Sequence, residues 1–349
     1  MPLRRGSADA VSLQAAAPCT DDAMERRVVL VTGGNSGIGF ECARELARRG
    51  WRVLIASRNR VASAEAVQRI ARESGDDAVF ELGLDLGALA SVREFATEIE
   101  GRNVPLRALV CNAGVQVAGT QRLSADGFEL TFAVNHLGHF LLTNLLLSRL
   151  LANAPARIVV VSSGVHDAKR TTGMPKPAVT DMKTLATTGG PHAGRFNGQL
   201  AYVNSKLSNL WFAYELARRL ADAGLSHDDR TLTVNAYDPG LVPGSGLARE
   251  YPAALRFVWH RILPTIASVL TSVFPSISTA DQSGRALARL VWDPALASTS
   301  GRYFPSHTRW ADAPSSDESR EVARARALWE ESVHMTRLTP DESPLARAA

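Results

Sequence analysis

Apolar positions gather in short runs from residue 28 onward, and each run is followed by a stretch whose apolar residues recur at helical spacing. "RRVVLVTGG" (26–34) predicts a short buried strand closed by glycines. "GIGFECARELARRG" (37–50) predicts a helix with Ile38, Cys42 and Leu46 on one face and a stop at Gly50. The alternation continues with a strand at 51–57, a helix at 62–75, a strand at 78–86 and a helix at 88–99. A strand at 106–114, a long helix at 126–151 and a fifth strand, "ARIVVVSS" (156–163), follow. Apolar strands alternating with helices mean βαβ units. The fold class is therefore α/β: a doubly wound, mainly parallel sheet with helices on both faces and right-handed crossovers.

After Ser163 the rhythm breaks. Residues 164–200 are rich in Gly, Pro and Thr and show little periodicity, which predicts a long loop or partly ordered insertion. Order returns with a helix at 201–224, a strand in "TLTVNAYDPG" (231–240), and a helical region from 253 to 292 interrupted at Pro264 and Pro275. "GRYFP" (301–305) predicts a last strand, and 315–335 an amphipathic helix behind a Ser/Asp-rich start. The reading is one domain over 26–335, with a lid-like insertion at 164–200 and a substrate-lid region at 245–278. Residues 1–25 read as a disordered leader and 336–349 as a frayed tail. Arg4 and Arg5 precede no continuous apolar core, since Gln14 and Pro18 interrupt it, which disfavours a signal peptide. The most apolar stretch, 254–274, carries Arg256, His260, Arg261 and Pro264, so no transmembrane helix is expected.

Composition narrows the function classes. The 349 residues hold 39 basic and 35 acidic side chains, a net charge of +4, without any block of like charges. A nucleic-acid partner is not expected, whereas peripheral membrane contact stays open. The three cysteines, Cys19, Cys42 and Cys111, have no paired spacing, which fits free thiols and a cytoplasmic location. His136 and His139 stand three apart on one helix without further ligands nearby, so the expectation is a packing or capping role and no metal.

The strand–turn–helix "VTGGNSGIGF" (31–40) is the stretch that carries chemistry. Glycines 33, 37 and 39 allow a tight turn and close approach of backbone to a pyrophosphate, and the helix starting near Ser36 offers unpaired N–H groups to phosphate. A lone glycine turn is weak evidence; in the first βαβ unit of a Rossmann-type sheet it reads as a dinucleotide site. Its Thr-Gly-x-x-x-Gly-x-Gly form resembles the short-chain dehydrogenase/reductase family. Four further motifs resemble it in the same order: "CNAG" (111–114), Asn135 in "VNHLGHF", Ser163 in "VVVSS", and Tyr202 with Lys206 in "YVNSK". "DPG" (238–240) matches the family's Pro-Gly element, and the likeness covers about residues 27–305.

The chemistry of that set can be argued from the residues. A tyrosine, with a pKa of about 10, is a poor base near neutrality. Lys206 lies four residues after Tyr202, on the same helix face, and its charge favours the phenolate. The catalytic set implied is Tyr202 as general acid/base, Lys206, Ser163 orienting the substrate oxygen (with Ser162 as competitor), and Asn135 in a proton relay from a locally disturbed helix. The cofactor-binding set implied is Thr32, Gly33, Asn35, Ser36, Gly37, Ile38, Gly39, Arg58, Asp85, Leu86, Asn112, Ala113, Gly114, Tyr202, Lys206, Pro239 and Gly240. Strand two ends in "IASRNR" with no acid, and Arg58 can pair a 2′-phosphate, so NADP(H) is favoured over NAD(H). Ser36 holds the place where some NADP members carry a basic residue.

The insertion and the apolar region near 251–276 flank the expected substrate position, predicting a lipophilic small-molecule substrate. "VNHLGHFLLTNLLL" and "PGLVPGSGLARE" resemble the retinol dehydrogenase and light-dependent protochlorophyllide reductase branch. The resemblance implies carbonyl/alcohol oxidoreduction. Protochlorophyllide-type C=C reduction is the alternative, weakened because Leu241 stands where those enzymes carry a cysteine. A catalytically silent NADP(H)-binding module is the second alternative, and the sequence does not decide the oligomeric state.

Overall fold

The computed structural model describes residues 27–191, 195–226, 231–246, 253–274, 276–308 and 311–346. The leader expected at 1–25 lies outside them.

Seven strands form one parallel sheet: β1 Val28–Thr32, β2 Arg52–Ser57, β3 Val79–Gly83, β4 Leu106–Cys111, β5 Ala156–Val161, β6 Leu232–Asp238 and β7 Arg302–Pro305. Their order is β3-β2-β1-β4-β5-β6-β7. Alternation along a continuous apolar run supplies both faces: in β1, Val28 and Leu30 enter one core and Val29 and Val31 the other. On one face lie α1 (Gly37–Arg48), α2 (Arg60–Ser74) and, much later in the chain, a helix at Ala280–Trp292. On the other face lies α3 (Leu89–Gly101). Beside it is α4, which runs through Leu130–Phe132, a π-helical turn Ala133–Leu137 and Gly138–Leu145. The short α5 (Leu147–Ala152) follows it.

The insertion holds more structure than its composition suggests. It contains α6 (Met182–Thr188), capped by Asp181, whose carboxylate accepts from the Thr184 N–H at 2.8 Å, and closed by Gly189 at φ 77°. Leu185 is fully buried against α7 (Gly198–Asp222) and the helix at Val322–Thr336. Seven residues with two apolar anchors are too short for a helical period to show in sequence.

Pro264 does not interrupt the next helix. The chain runs helically as α8 through Ala253–Phe257, a π-turn Val258–Ile262 and Leu263–Val273. The widened turn just before Pro264 takes up a residue that has no N–H to give. The helix at Ala280–Trp292, α9, opens with a full capping box between Thr279 and Gln282. The last helix, α10 (Val322–Thr336), packs on α7.

The tail expected to be frayed at 336–349 is packed as far as residue 346, and its last three residues lie outside the described ones. Leu345 is fully buried, Ser343 Oγ donates to Asn144 Oδ1 at 2.8 Å, and Arg93 pairs with Glu342 at 2.9 Å. Apolar side chains spaced as Leu338 and Leu345 carry no period, so nothing in the sequence signals that they join the core on this face of the sheet.

Candidate active site

The sheet order sets a crevice between β1 and β4, where the chain switches from one side of the sheet to the other. A cavity of about 650 Å³ opens there, at the carboxyl ends of the strands. β1 ends in a turn through Gly33 and Gly37, both at positive φ (65° and 56°), where a side chain would be strained. At Gly39 a β-carbon would collide with Asn112 Nδ2 and with the Gly33 carbonyl oxygen, so backbone meets backbone at this point. Gly33, Asn35, Ser36, Gly37, Ile38 and Gly39 all line the cavity. The N-terminus of α1, whose first N–H groups have no partner within the helix, therefore faces it.

Thr32 is placed differently from the expectation. It is fully buried beneath the loop and does not line the cavity. Its Oγ1 accepts from the N–H groups of Asn112 (2.9 Å) and Ala113 (3.0 Å), tying β1 to the turn after β4. The same oxygen lies 2.8 Å from His139 Nε2. His139 Nδ1 sits 3.1 Å from the Asn135 carbonyl, an acceptor, so Nδ1 carries the proton. Burial lowers the His139 pKa to about 4, so the ring is neutral. The single Thr32 hydroxyl hydrogen is then shared between His139 Nε2 and the Val110 carbonyl, 3.2 Å away. His136 contacts Ser332 Oγ at 2.8 Å and packs between Phe132, Phe140 and Phe212. Both histidines are thus packing residues, and no cluster able to hold a metal ion occurs among the described residues.

Asn135 stands at the centre of the π-turn in α4, the local disturbance expected of it. Its side chain does not reach the cavity. Oδ1 accepts from Val115 N–H at 2.8 Å, and Nδ2 donates to the Val115 carbonyl (3.0 Å) and Ser205 Oγ (2.9 Å). It holds the segment after Gly114 against α7.

Tyr202 and Lys206 do come together at the cavity. Both line it from one face of α7, with Lys206 Nζ 5.5 Å from the centroid of the Tyr202 ring. Lys206 is almost fully buried, and its ammonium donates to the Val161 carbonyl at 3.2 Å. Burial pulls its pKa from 10.5 down to about 8, with the Asp238 carboxylate opposing the shift. Both serines line the cavity, but they are engaged differently. Ser162 Oγ donates to the Lys206 carbonyl at 2.7 Å and is buried, while Ser163 is half-buried at the start of a short 3₁₀ turn.

The other expected residues sit around the same crevice. Asn112, Ala113, Gly114, Asp85 and Leu86 line it, as do Pro239 and Gly240. Arg58, exposed at the end of β2, lines the same side as Asn59, the N-cap of α2.

Asp238, Tyr303 and Arg170 were not singled out from sequence. The Asp238 carboxylate accepts from Tyr303 Oη (2.9 Å) and the Gly240 N–H (2.9 Å), and pairs with Arg170 at 3.3 Å. A β-carbon at Gly164 would occupy the place of the Arg170 guanidinium, so glycine after Ser163 leaves the guanidinium room to sit where it pairs with Asp238. Asp238 was visible beside the Pro-Gly element, whereas Arg170, in aperiodic chain, gave no signal.

The comparisons with known proteins fit this geometry. The "short chain dehydrogenase" family profile matches residues 27–175. Human retinol dehydrogenase 13 is 36% identical over 324 residues, covering 92% of this chain and 88% of its own. The chain belongs to the short-chain dehydrogenase/reductase family. The Chlamydomonas reinhardtii chloroplastic protochlorophyllide reductase is 33% identical over 331 residues, covering 90% of this chain and 79% of that one. Human WW domain-containing oxidoreductase is 37% identical over 307 residues, and the chain spans 66% of its length. Among solved structures, the fold matches the Pseudomonas aeruginosa RhlG/NADP active-site complex with a TM-score of 0.57, at 23% identity, over 80% of this chain and 94% of that one. NAD(P) is the nucleotide class that this family binds.

Proposed function

We propose that this chain is an NADP(H)-dependent oxidoreductase acting on the carbonyl or alcohol group of a lipophilic small molecule. The observation that carries the reading is that Tyr202 and Lys206 line the same cavity as the glycine turn. The residues present fit a dinucleotide: Gly39 leaves room that a β-carbon would fill, and the N-terminus of α1 opens onto the cavity, where it would favour an anion. Gly33, Gly37, Ile38 and Gly39 would hold the pyrophosphate, Asp85 and Leu86 the adenine side, and Lys206 the nicotinamide ribose. Arg58 supports NADP(H) over NAD(H), because a guanidinium suits a 2′-phosphate and β2 ends without an acid to bond the ribose hydroxyls.

The bound nicotinamide supplies the hydride in reduction and accepts it in oxidation. In reduction the Tyr202 hydroxyl gives its proton to the substrate oxygen, and Ser163 donates a hydrogen bond that orients that oxygen. The Lys206 ammonium stabilises the tyrosinate left behind. Asp238, through its charge, holds Lys206 in its protonated form against the pull of burial.

Ring C=C reduction of protochlorophyllide type is the second reading, favoured by the 33% identity to that enzyme. Against it, Leu241 lines the cavity at the post-Pro-Gly position, and Cys42 and Cys111 are buried without lining it. Mixing purified protein with NADPH or NADH and a panel of lipophilic aldehydes and ketones, plus protochlorophyllide in the dark and under light, separates the readings. The proposal expects NADPH oxidation with at least one carbonyl compound. Saturable NADPH binding with no oxidation across the panel would make the chain a silent binding module instead.

A further inference from the structure

Six of the ten large apolar side chains exposed among the described residues fall between 241 and 274: Leu241 (45%), Phe257 (60%), Val258 (37%), Ile262 (45%), Ile266 (43%) and Phe274 (52%). Scattered exposed apolar residues are ordinary, but a contiguous group on one helix marks an interaction surface. The helix is α8, and its two faces differ. The inner face is fixed to the body: Trp259 Nε1 donates to the Ser245 carbonyl at 3.0 Å, Pro264 packs at Gly244, and Ala267 is buried. The base of the segment is clamped by Leu241 N–H to the Ser276 carbonyl (2.8 Å) and Ser278 N–H to the Leu241 carbonyl (2.9 Å). The outer face carries Phe257, Val258, Ile262 and Ile266, so the apolar stripe is held outward by a helix that is itself well anchored.

Charge chooses the occupant. From 253 to 280 the sequence has no Asp or Glu, and the exposed Arg256 and Arg261 stand within the apolar stripe. A second copy of the chain docking through the same stripe would bring no acidic side chain to pair these arginines. A surface of acyl chains below anionic headgroups satisfies both features at once: it receives the aromatic and aliphatic side chains and pairs the guanidinium groups. The helix also borders the cavity, which Trp259 of its inner face and the exposed Leu241 both line. We propose that α8 is an interfacial helix that seats this chain on an anionic lipid bilayer, with the mouth of the cavity turned toward the lipid. The helix lies along the membrane and does not cross it; no helix among the described residues is long and apolar enough to do so.

The test is flotation of the full chain with phosphatidylcholine vesicles and with mixed phosphatidylcholine/phosphatidylglycerol vesicles, at low and high salt. The expected result is flotation with the mixed vesicles, weakened by salt, and little with neutral ones. The double variant Phe257→Glu/Ile262→Glu should stay in solution while binding NADPH as the wild type does. The milder Arg256→Gln/Arg261→Gln, which alters only exposed positions, should lower affinity for the mixed vesicles by on the order of tenfold. Wild-type protein that ignores both vesicle types, or apolar-to-charged variants that float like the wild type, would overturn the proposal. So would a dimer in sedimentation that the Phe257→Glu/Ile262→Glu change converts to monomer, because the face would then belong to a second copy.

Discussion

Lys206 keeps its ammonium where burial disfavours charge, and this single residue links activity to stability. Its folded pKa, about 8, lies below the ordinary 10.5, so between these values the unfolded chain binds more protons than the folded one. Stability from this group therefore rises as pH climbs from about 8 to 10.5, and the full burial penalty is present below 8. Lys206→Met should abolish turnover yet stabilise the protein at pH 7 by about 1–3 kcal/mol, since an apolar chain of similar volume replaces a buried charge. The Val161 carbonyl keeps a partner in this variant, because Asn209 Nδ2 also donates to it at 3.0 Å. Thermal melts across pH check this: the gain should shrink toward pH 10, and a lower Tm at pH 7 would refute it. Carbonyl reduction should decline as pH rises past about 8, and Asp238→Asn should move that limb to lower pH by removing the charge that supports the ammonium. On the cofactor side, Arg58→Asp should shift preference from NADPH toward NADH, read as the ratio of kcat/KM values; an unchanged ratio would place the 2′-phosphate elsewhere. Tyr202, Lys206 and Ser163 were legible because their order and spacing follow the elements that carry them. The inward commitment of Asn135 and the burial of Thr32 were not, since spacing says which residues meet but not which atoms are already bonded.

At the scale of elements, close approach of helices decides what the sequence hides. Gly284 sits mid-way along α9, where glycine lowers helix stability, and nothing in its neighbours explains it. The structure does: a β-carbon there would collide with Glu41 Cβ and lie 2.8 Å from Cys42 N, because α9 crosses α1 at this residue. Gly284→Ala should therefore cost about 1–3 kcal/mol despite its better helix propensity. Since α1 carries the glycine turn at its N-terminus, the same change should weaken NADPH binding along with Tm. A variant with wild-type Tm would show that the two helices slide apart freely. The strands and the long helices were readable from periodicity. The π-turn in α8 and the short α6 were not, because they hold too few residues to show a period, and the disturbance in α4 was expected from the family resemblance at Asn135, not from periodicity.

Across the whole molecule, the helix bearing Tyr202 and Lys206 is braced from behind. Trp329 of α10 packs edge-on to Phe140 at 4.9 Å, with the Arg219 guanidinium 4.8 Å from its ring. The segment after α10 continues over α4, burying Leu345 and linking Ser343 to Asn144. Leu345→Ala should cost about 2–5 kcal/mol of stability while leaving kcat near wild type at temperatures where the protein stays folded. Calorimetry with parallel kinetics separates these effects, and unchanged stability would mean that the tail is dispensable.

The account rests on the Tyr202 phenol delivering a proton beside the bound nicotinamide. The most direct test compares wild type and Tyr202→Phe for transfer of deuterium from labelled NADPH to a carbonyl product, with NADPH affinity measured in parallel. The account predicts labelled product from the wild type, a loss of about 10²–10⁴-fold in rate in the variant, and affinity near wild type in both. A Tyr202→Phe protein that transfers deuterium at the wild-type rate would contradict it.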